Sequence, residues 1–403
     1  MTKPSGVFDS RGKSLLLSPE SPFPMIGGGP IRSASVFEYL TRRSEVDVIT
    51  FRQPGSPDPR DSFPPGRAHR IDIIDLPVHS NSAPARLFRN LERAWHGRPP
   101  LTDRFSGFAS RIESALAGRR YGTAIIEHFW CASYLELLRP HCACVYLDLH
   151  NIESVWHTKL AASENLLMGP IHRRFARASE VLERELLPRF DALLVTSEVD
   201  AERVRLLAPA AKCVVYPNAL PDIAQPSVPE RNVIVFSGNL EYRPNISAIQ
   251  FFVRRVWPSV REQCPGLIWE IIGKNPHLIW GLVKGDDRIH VAGPVQDAVE
   301  RIAAAKVAIV PLLAGSGTRI KILEAWAAGT AVISTTIGAE GLECETGENV
   351  IIVDEPSGFS EAVIDLARDQ QMRAHIGLSG RRQYERRYTW KTAFAALDRN
   401  LTC

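Results

Sequence analysis

The feature that most constrains this chain is an alternation that runs its whole length. Short apolar runs of four to six residues alternate with longer segments of helical periodicity. Parallel strands need crossover connections, and a helix is the usual crossover, so this alternation predicts βαβ units. The predicted strands of the first half are Ser14–Leu17, Val46–Phe51, Ile71–Asp75, Thr123–Glu127, Cys144–Leu149 and Ala192–Thr196. A helix carrying Val36, Phe37 and Leu40 follows the first of them, and a long helix covers Ile171–Leu187. Gln53–Arg67 has no periodicity and is rich in Pro, Gly and Asp, so it reads as an exposed loop.

The alternation stops once. Pro217, Pro221, Pro226 and Pro229 punctuate a stretch with few large apolar residues, which predicts a linker. A second series then opens at Val233–Phe236 and continues through Ile268–Ile272, Ile289–Ala292, Val307–Pro311, Ala331–Ser334 and Val350–Val353. At 403 residues the chain is long enough for two such domains, each with its own core. The expected fold class is α/β, two doubly wound domains facing a cleft, with ligands at the C-terminal ends of the strands.

Charge points to no particular macromolecule. Lys plus Arg is 48 and Asp plus Glu is 45, a formal net of +3, and neither half carries the excess of a nucleic-acid binder. A weakly basic first half is compatible with an anionic membrane surface. No apolar run approaches the roughly 20 residues of a membrane span. The seven cysteines are scattered, and His141-Cys142-Ala143-Cys144 has no second ligand pair at metal-site spacing. The expectation is a reduced, cytoplasmic protein without a bound metal.

Five segments carry candidate chemistry. Gly27-Gly28-Gly29 lies between the first strand and helix, where the backbone can approach a ligand and helix N–H groups face an anion. Ala314-Gly315-Ser316-Gly317-Thr318-Arg319-Ile320-Lys321 leads from a strand ending at Pro311 into a helix starting near Thr318, a pattern suited to a diphosphate. Glu324 stands about two turns into that helix, where a carboxylate can accept from ribose hydroxyls. His128 ends an apolar strand behind Glu127; alone, a loop-capping histidine is the simpler account, and a proton donor in a cleft the functional one. Asp148, His150, Asn151 and Glu153 leave the next strand together, either lining an acceptor pocket or capping a helix. Gly238-Asn239-Leu240-Glu241-Tyr242-Arg243 follows the first strand of the second domain, with Arg243 in reach of phosphate and Asn245 a candidate N-cap. The run His172-Arg173-Arg174-Phe175-Ala176-Arg177 reads as a solvated amphipathic helix, since Ile171, Phe175, Ala178 and Leu182 form an apolar stripe.

The order of VFSGNLEYRPN, WEIIGKNP, IHVAGPVQD and VAIVPLLAGSGTRIKILEAWAAGTAVISTTIGAEGL resembles the retaining glycosyltransferases of group 1, or family 4, most of all a bacterial subgroup associated with exopolysaccharide. The resemblance implies the GT-B architecture. Residues 1–224 would form the acceptor domain, 225–385 the nucleotide-sugar domain, and 386–403 a helix returning to the first. It implies a nucleotide-diphosphate sugar as donor, a glycan or lipid-linked acceptor, no metal or other cofactor and no nucleic acid; the location expected is cytoplasmic, either free or peripheral at the inner face of the membrane. By the same resemblance His128 and Glu324 are the catalytic candidates, Glu324 facing ribose. Gly28, Gly29, Arg243, Gly293, Pro294, Ser316, Gly317, Thr318, Arg319 and Lys321 would hold the donor, with His150 and Asn151 on the acceptor side. Two positions depart from the pattern. Ser316 stands where the family has the first glutamate of its E-x7-E signature, and Asn239 where arginine is common. The same architecture serves an NDP-sugar 2-epimerase, and the serine also admits a nucleotide-sugar-binding homologue without turnover.

Overall fold

The computed structural model describes residues 12–80, 82–163, 168–295, 297–315 and 319–401. The chain forms two compact units, Met1–Pro217 with Phe394–Cys403, and Asn218–Ala393.

The first unit is built on seven parallel strands: β1 (Lys13–Ser18), β2 (Glu45–Arg52), β3 (Arg70–Asp75), β4 (Tyr121–Glu127), β5 (Cys142–Leu149), β6 (Ala192–Val195) and β7 (Cys213–Val215). Their order is β3-β2-β1-β4-β5-β6-β7. Central strands of a parallel sheet are covered on both faces, and β1 and β4 accordingly read as continuous apolar runs that bury Leu15–Leu17 and Ala124–Ile126. The order reverses between β1 and β4, which pair from Ser14 opposite Thr123 to Leu17 opposite Ile126. β7 was not legible in the sequence; it is three residues long and lies at the sheet edge.

The second unit repeats the plan with six parallel strands: β8 (Arg231–Ser237), β9 (Ile268–Ile272), β10 (Ile289–Gly293), β11 (Ala305–Val310), β12 (Ala331–Ser334) and β13 (Ile351–Ile352). Their order is β10-β9-β8-β11-β12-β13, reversing between β8 and β11. Both sheets are therefore doubly wound, and each has one switch point where side chains from two diverging loops converge.

Several local expectations need correction. The division falls at Pro217/Asn218, not 224/225, because the proline-rich stretch is fastened to the second unit. Leu220 exchanges backbone hydrogen bonds with Tyr388 and Trp390, and Arg381 Nη2 donates to the Ile223 carbonyl at 2.9 Å. The last helix, Trp390–Asn400, divides at Ala393/Phe394. From Phe394 onward it belongs to the first unit, where Phe394 packs on Tyr39 (ring centroids 5.6 Å) under the Arg42 guanidinium, and Asp398 pairs with Arg43. Gln53–Arg67 is not wholly exposed. Pro59 and Phe63 are buried, and Phe63 packs edge-on against Phe23 and Phe37. Cys144 is disulfide-bonded, against the expectation of reduced cysteines; Cys131, Cys142, Cys213, Cys264 and Cys344 are free.

Candidate functional site

In the first unit the β1–β4 switch point gathers a buried polar cluster. The helix Gly28–Thr41 follows β1 after a glycine turn, and Gly27 takes φ 99°, a conformation that side chains rarely adopt. This helix turns its Arg32 inward. A charge buried among Ile31, Val36 and Phe37 needs a partner, and Arg32 finds it in Asp148 on β5. The pair is bidentate, Nε to Oδ2 at 2.8 Å and Nη2 to Oδ1 at 2.5 Å, and Nη1 donates to the Tyr216 carbonyl at 2.8 Å. Burial favours the neutral form of Asp148, but Arg32 overcomes it and holds the carboxyl below its ordinary value.

His150 joins the same network. Its Nε2 lies 3.2 Å from Glu127 Oε2 and 3.3 Å from Asp148 Oδ2. Burial works against the imidazolium, but hydrogen bonds to Asp148 and Glu127 push its pKa up to about 9. Ser33 Oγ donates to the same Glu127 oxygen. Among the described residues the other oxygen of Glu127, Oε1, has no hydrogen-bond partner.

His128 sits inside this arrangement with φ 59°, its N–H donating to the Asp148 carbonyl at 2.9 Å. Its ring is held on both faces, by Trp130 at 4.0 Å and His150 at 3.6 Å between centroids. Burial first, then the positive charges of His150 and Arg32, keep it neutral. Both ring nitrogens are buried without a hydrogen-bond partner among the described residues. A neutral imidazole clamped on its faces offers one donor and one acceptor at its edge, which suits a hydroxyl ligand. Trp130 is fixed in turn by Glu153, whose Oε1 accepts from Trp130 Nε1 (2.8 Å) and Asn151 Nδ2 (2.9 Å). Asn151 therefore supports Glu153 at the start of the helix Glu153–Ser163.

Glu127, Asp148 and His150 lie close enough together to consider a metal ion. The donor set does not favour one, since Arg32 occupies both Asp148 oxygens and His150 bridges the two carboxylates.

In the second unit the β8–β11 switch point brings Lys321 to the tip of β8. Lys321 Nζ donates to the Ser237 carbonyl at 2.5 Å, and Ser237 Oγ donates to Glu324 Oε2 at 3.2 Å. Burial pushes the Lys321 ammonium down to about 8, Glu324 opposing, and burial also raises the Glu324 carboxyl. Gly238 takes φ 152°, and a Cβ there would stand 1.9 Å from Lys321 Nζ, so the glycine leaves the ammonium its place. Gly238 N–H also donates to the Ile272 carbonyl (2.9 Å) and Gly273 N–H to that of Gly293 (2.8 Å), which laces the tips of β8, β9 and β10 together.

Ser316, Gly317 and Thr318 lie outside the described residues. The helix starts at Ile320 rather than near Thr318, so Glu324 stands little more than one turn in, not two. Arg319 is buried, with Nε and Nη2 donating to the Ile337 carbonyl at 3.2 and 3.1 Å. Arg243 opens the helix Arg243–Phe251 and is exposed. Asn245 is not its N-cap; it lies in the first turn and its Nδ2 donates to the Asn239 carbonyl at 2.7 Å. Gly28 and Gly29 form the first turn of their helix, and Gly293 and Pro294 lie at the end of β10. Arg32, Trp130 and Ser237 were not foreseen. The signal for Arg32 was present, as a lone arginine among the small and apolar residues from Gly28 to Phe37. A pocket of about 600 Å³ beside Trp257 and Arg288 opens where β10 begins, at the end of its sheet away from the β8–β11 switch point.

Residues 231–369 match the family described as Glycosyl transferases group 1, and residues 27–219 the Glycosyl transferase 4-like domain. An uncharacterized 44.6 kDa protein in the cps region of Klebsiella pneumoniae is 23% identical over 299 residues, 72% of this chain and 76% of that protein. Sucrose-phosphate synthase from Thermosynechococcus elongatus shares the fold with TM-score 0.73 at 17% identity, over 96% of this chain and 98% of that one. HepE of Anabaena, solved with UDP and glucose, does so with TM-score 0.65 at 13% identity, over 96% and 98%. With both halves matched and two doubly wound sheets, the chain belongs to the group 1 glycosyltransferases and has the GT-B architecture.

Proposed function

We propose that this glycosyltransferase is a retaining, metal-independent enzyme that takes its sugar from a nucleotide-diphosphate donor. The acceptor is a hydroxyl of a glycan or lipid-linked glycan in cell-envelope or exopolysaccharide synthesis. The same reading includes a cytoplasmic location with peripheral membrane contact. No helix among the described residues is long and apolar enough to cross a membrane. The observation that carries the reading is the Lys321–Ser237–Glu324 constellation at the β8–β11 switch point. A half-buried ammonium there neutralises a leaving diphosphate, and a carboxylate one helical turn away accepts from ribose hydroxyls. The Klebsiella relative lies in a cps region, and HepE was solved with UDP and glucose, in keeping with such a donor and product.

In the first unit the β1–β4 cluster serves the hydroxyl groups. His128 offers a neutral imidazole edge, and Glu127 Oε1 an acceptor not yet taken. Neither supplies a strong nucleophile, and none is needed where the work is placement and stabilisation of the leaving group.

Thermal unfolding against UDP, GDP, ADP and their sugar conjugates tests the donor. A ligand at about 100 times its Kd adds about 2.7 kcal/mol of stability. A shift with one base series is expected; none with any overturns the reading. Ser316, in place of the family's glutamate, favours one second reading, a homologue that binds donor without turnover. A nucleotide-induced shift with no product across an acceptor panel would establish it.

A further inference from the structure

The connection from β1 to the helix Gly28–Thr41 carries a carboxylate that the fold does not use. Glu20 is fixed through its backbone, where Ser18 Oγ, at the buried tip of β1, donates to the Glu20 carbonyl at 2.6 Å. Further on, the connection is pinned by Phe23, which packs edge-on against Phe37 and Phe63. The Glu20 side chain is 46% exposed, and among the described residues no hydrogen bond reaches its carboxylate. Its Oε1 instead stands 3.9 Å from His128 Nε2. Gly29 lets it lie there, since a Cβ at that position would collide with Glu20 Oε1.

The surroundings decide what this carboxylate can meet. The cations of the cluster, Arg32 and His150, are engaged by Asp148 and Glu127, so Glu20 adds a third carboxyl group without adding a counter-charge. A second anion is disfavoured there, and a neutral hydroxyl is not. His128 supplies the other half. It is 6% exposed, its ring is clamped by Trp130 and His150, and both its nitrogens lack a partner among the described residues. An imidazole N–H donates, a carboxylate accepts, and a hydroxyl does both. One oxygen about 2.8 Å from each atom bridges the 3.9 Å gap at an angle of roughly 90°, within reach of a hydroxyl.

We propose that Glu20 is a specificity-determining residue, which together with His128 reads one hydroxyl of a sugar. The hydroxyl donates to Glu20 Oε1 and accepts from His128 Nε2. A sugar ring fixes the direction of each hydroxyl, so two anchored atoms select one epimer over another, and the wrong epimer leaves buried polar groups unpaired. The sugar is either the one the donor carries or one the acceptor presents; the chemistry is shared, and the test separates them. The inference rests on the proposed function for a sugar at this cluster. It is read by sugar binding without turnover, so its failure and the failure of the donor reading are distinguishable.

The test is nuclear magnetic resonance of the full chain carrying isotope-labelled histidine, with the His128 ring signal assigned by its loss in His128→Gln. The probes are the methyl glycosides of glucose, galactose, mannose and N-acetylglucosamine, and UDP, GDP and their sugar conjugates. One sugar is expected to move the His128 signal saturably. Its affinity should fall at least about tenfold in Glu20→Ala and recover in part in Glu20→Gln, whose amide oxygen still accepts. Both variants should keep the wild-type unfolding temperature, since the carboxylate bonds to nothing in the fold. For a donor sugar, Glu20→Ala weakens the conjugate and spares the bare diphosphate; for an acceptor sugar, it weakens the glycoside alone. Sugar binding through Glu20 with no response to any nucleotide would sustain the subsite and overturn the donor reading. No sugar that moves the His128 signal, or equal affinity in Glu20→Ala, overturns the proposal. So does tighter binding of the bare diphosphate in Glu20→Ala, which would make the glycine turn an anion seat that Glu20 obstructs.

Discussion

The imidazole of His150 lies 3.6 Å from that of His128, centroid to centroid, while its Nε2 faces Glu127 and Asp148. Burial keeps His128 neutral, and the charge of His150 adds to it. The folded pKa of His150, about 9, stands above its ordinary 6.5. Its stabilisation is therefore complete below pH 6.5 and lost as pH rises through 9. Urea unfolding should show wild-type stability falling by about 2 kcal/mol across that window, with a clearly flatter profile in His150→Gln. Parallel profiles in the two proteins would remove the charge from His150.

Arg32 and Asp148 make a second testable pair, because both are fully buried. Arg32→Met strands a carboxylate in the core and should cost about 3–5 kcal/mol. Adding Asp148→Asn removes the stranded charge, so the double variant should recover a large part of that loss. Denaturant midpoints of the two singles and the double measure the coupling. Simple additivity would mean that the pair is not the unit described above.

This network also shows where sequence reading stops. Both sheets were legible, because apolar runs alternating with helical periods leave few topologies. Glu127, His128, Asp148 and His150 could be named from the strand ends that carry them. Their partnership could not, because Arg32 lies 116 residues from Asp148 and is brought to it only by the β1–β4 reversal. Asn151 and Glu153 read in sequence as helix caps before ligands, and the contact of Trp130 Nε1 with Glu153 is not visible there. Likewise Lys321 stood in a plausible phosphate run, but only the fold sets it against Ser237, 84 residues away.

Lys321 and Gly238 give a prediction for the donor. Lys321→Ala removes a charge-assisted contact to phosphate and should weaken binding of the responding nucleoside diphosphate by about 1.5–3 kcal/mol, roughly 10- to 150-fold. Gly238→Ala should do much the same, because its methyl would occupy the place of Lys321 Nζ. Isothermal titration with the diphosphate, compared with the bare nucleoside, checks both. An equal loss for the nucleoside would place Lys321 away from the phosphates.

Glu153 carries the last prediction. It is buried, and burial outweighs the hydrogen bonds from Trp130 and Asn151, raising its pKa from 4.5 to about 7. A raised carboxyl pKa means that the folded state gains from the proton. That gain is full below pH 4.5 and is lost as pH rises through 7, so above neutrality the wild type holds a costly buried anion. Glu153→Gln keeps an acceptor for Trp130 Nε1 and Asn151 Nδ2 and removes the charge. Relative to the wild type, the variant should gain about 1–3 kcal/mol on going from pH 5 to pH 8, read from denaturant midpoints at the two values. If the difference between the proteins is the same at both, Glu153 is an ordinary carboxylate. In that case the clamp on Trp130, and through it on His128, does not depend on its proton.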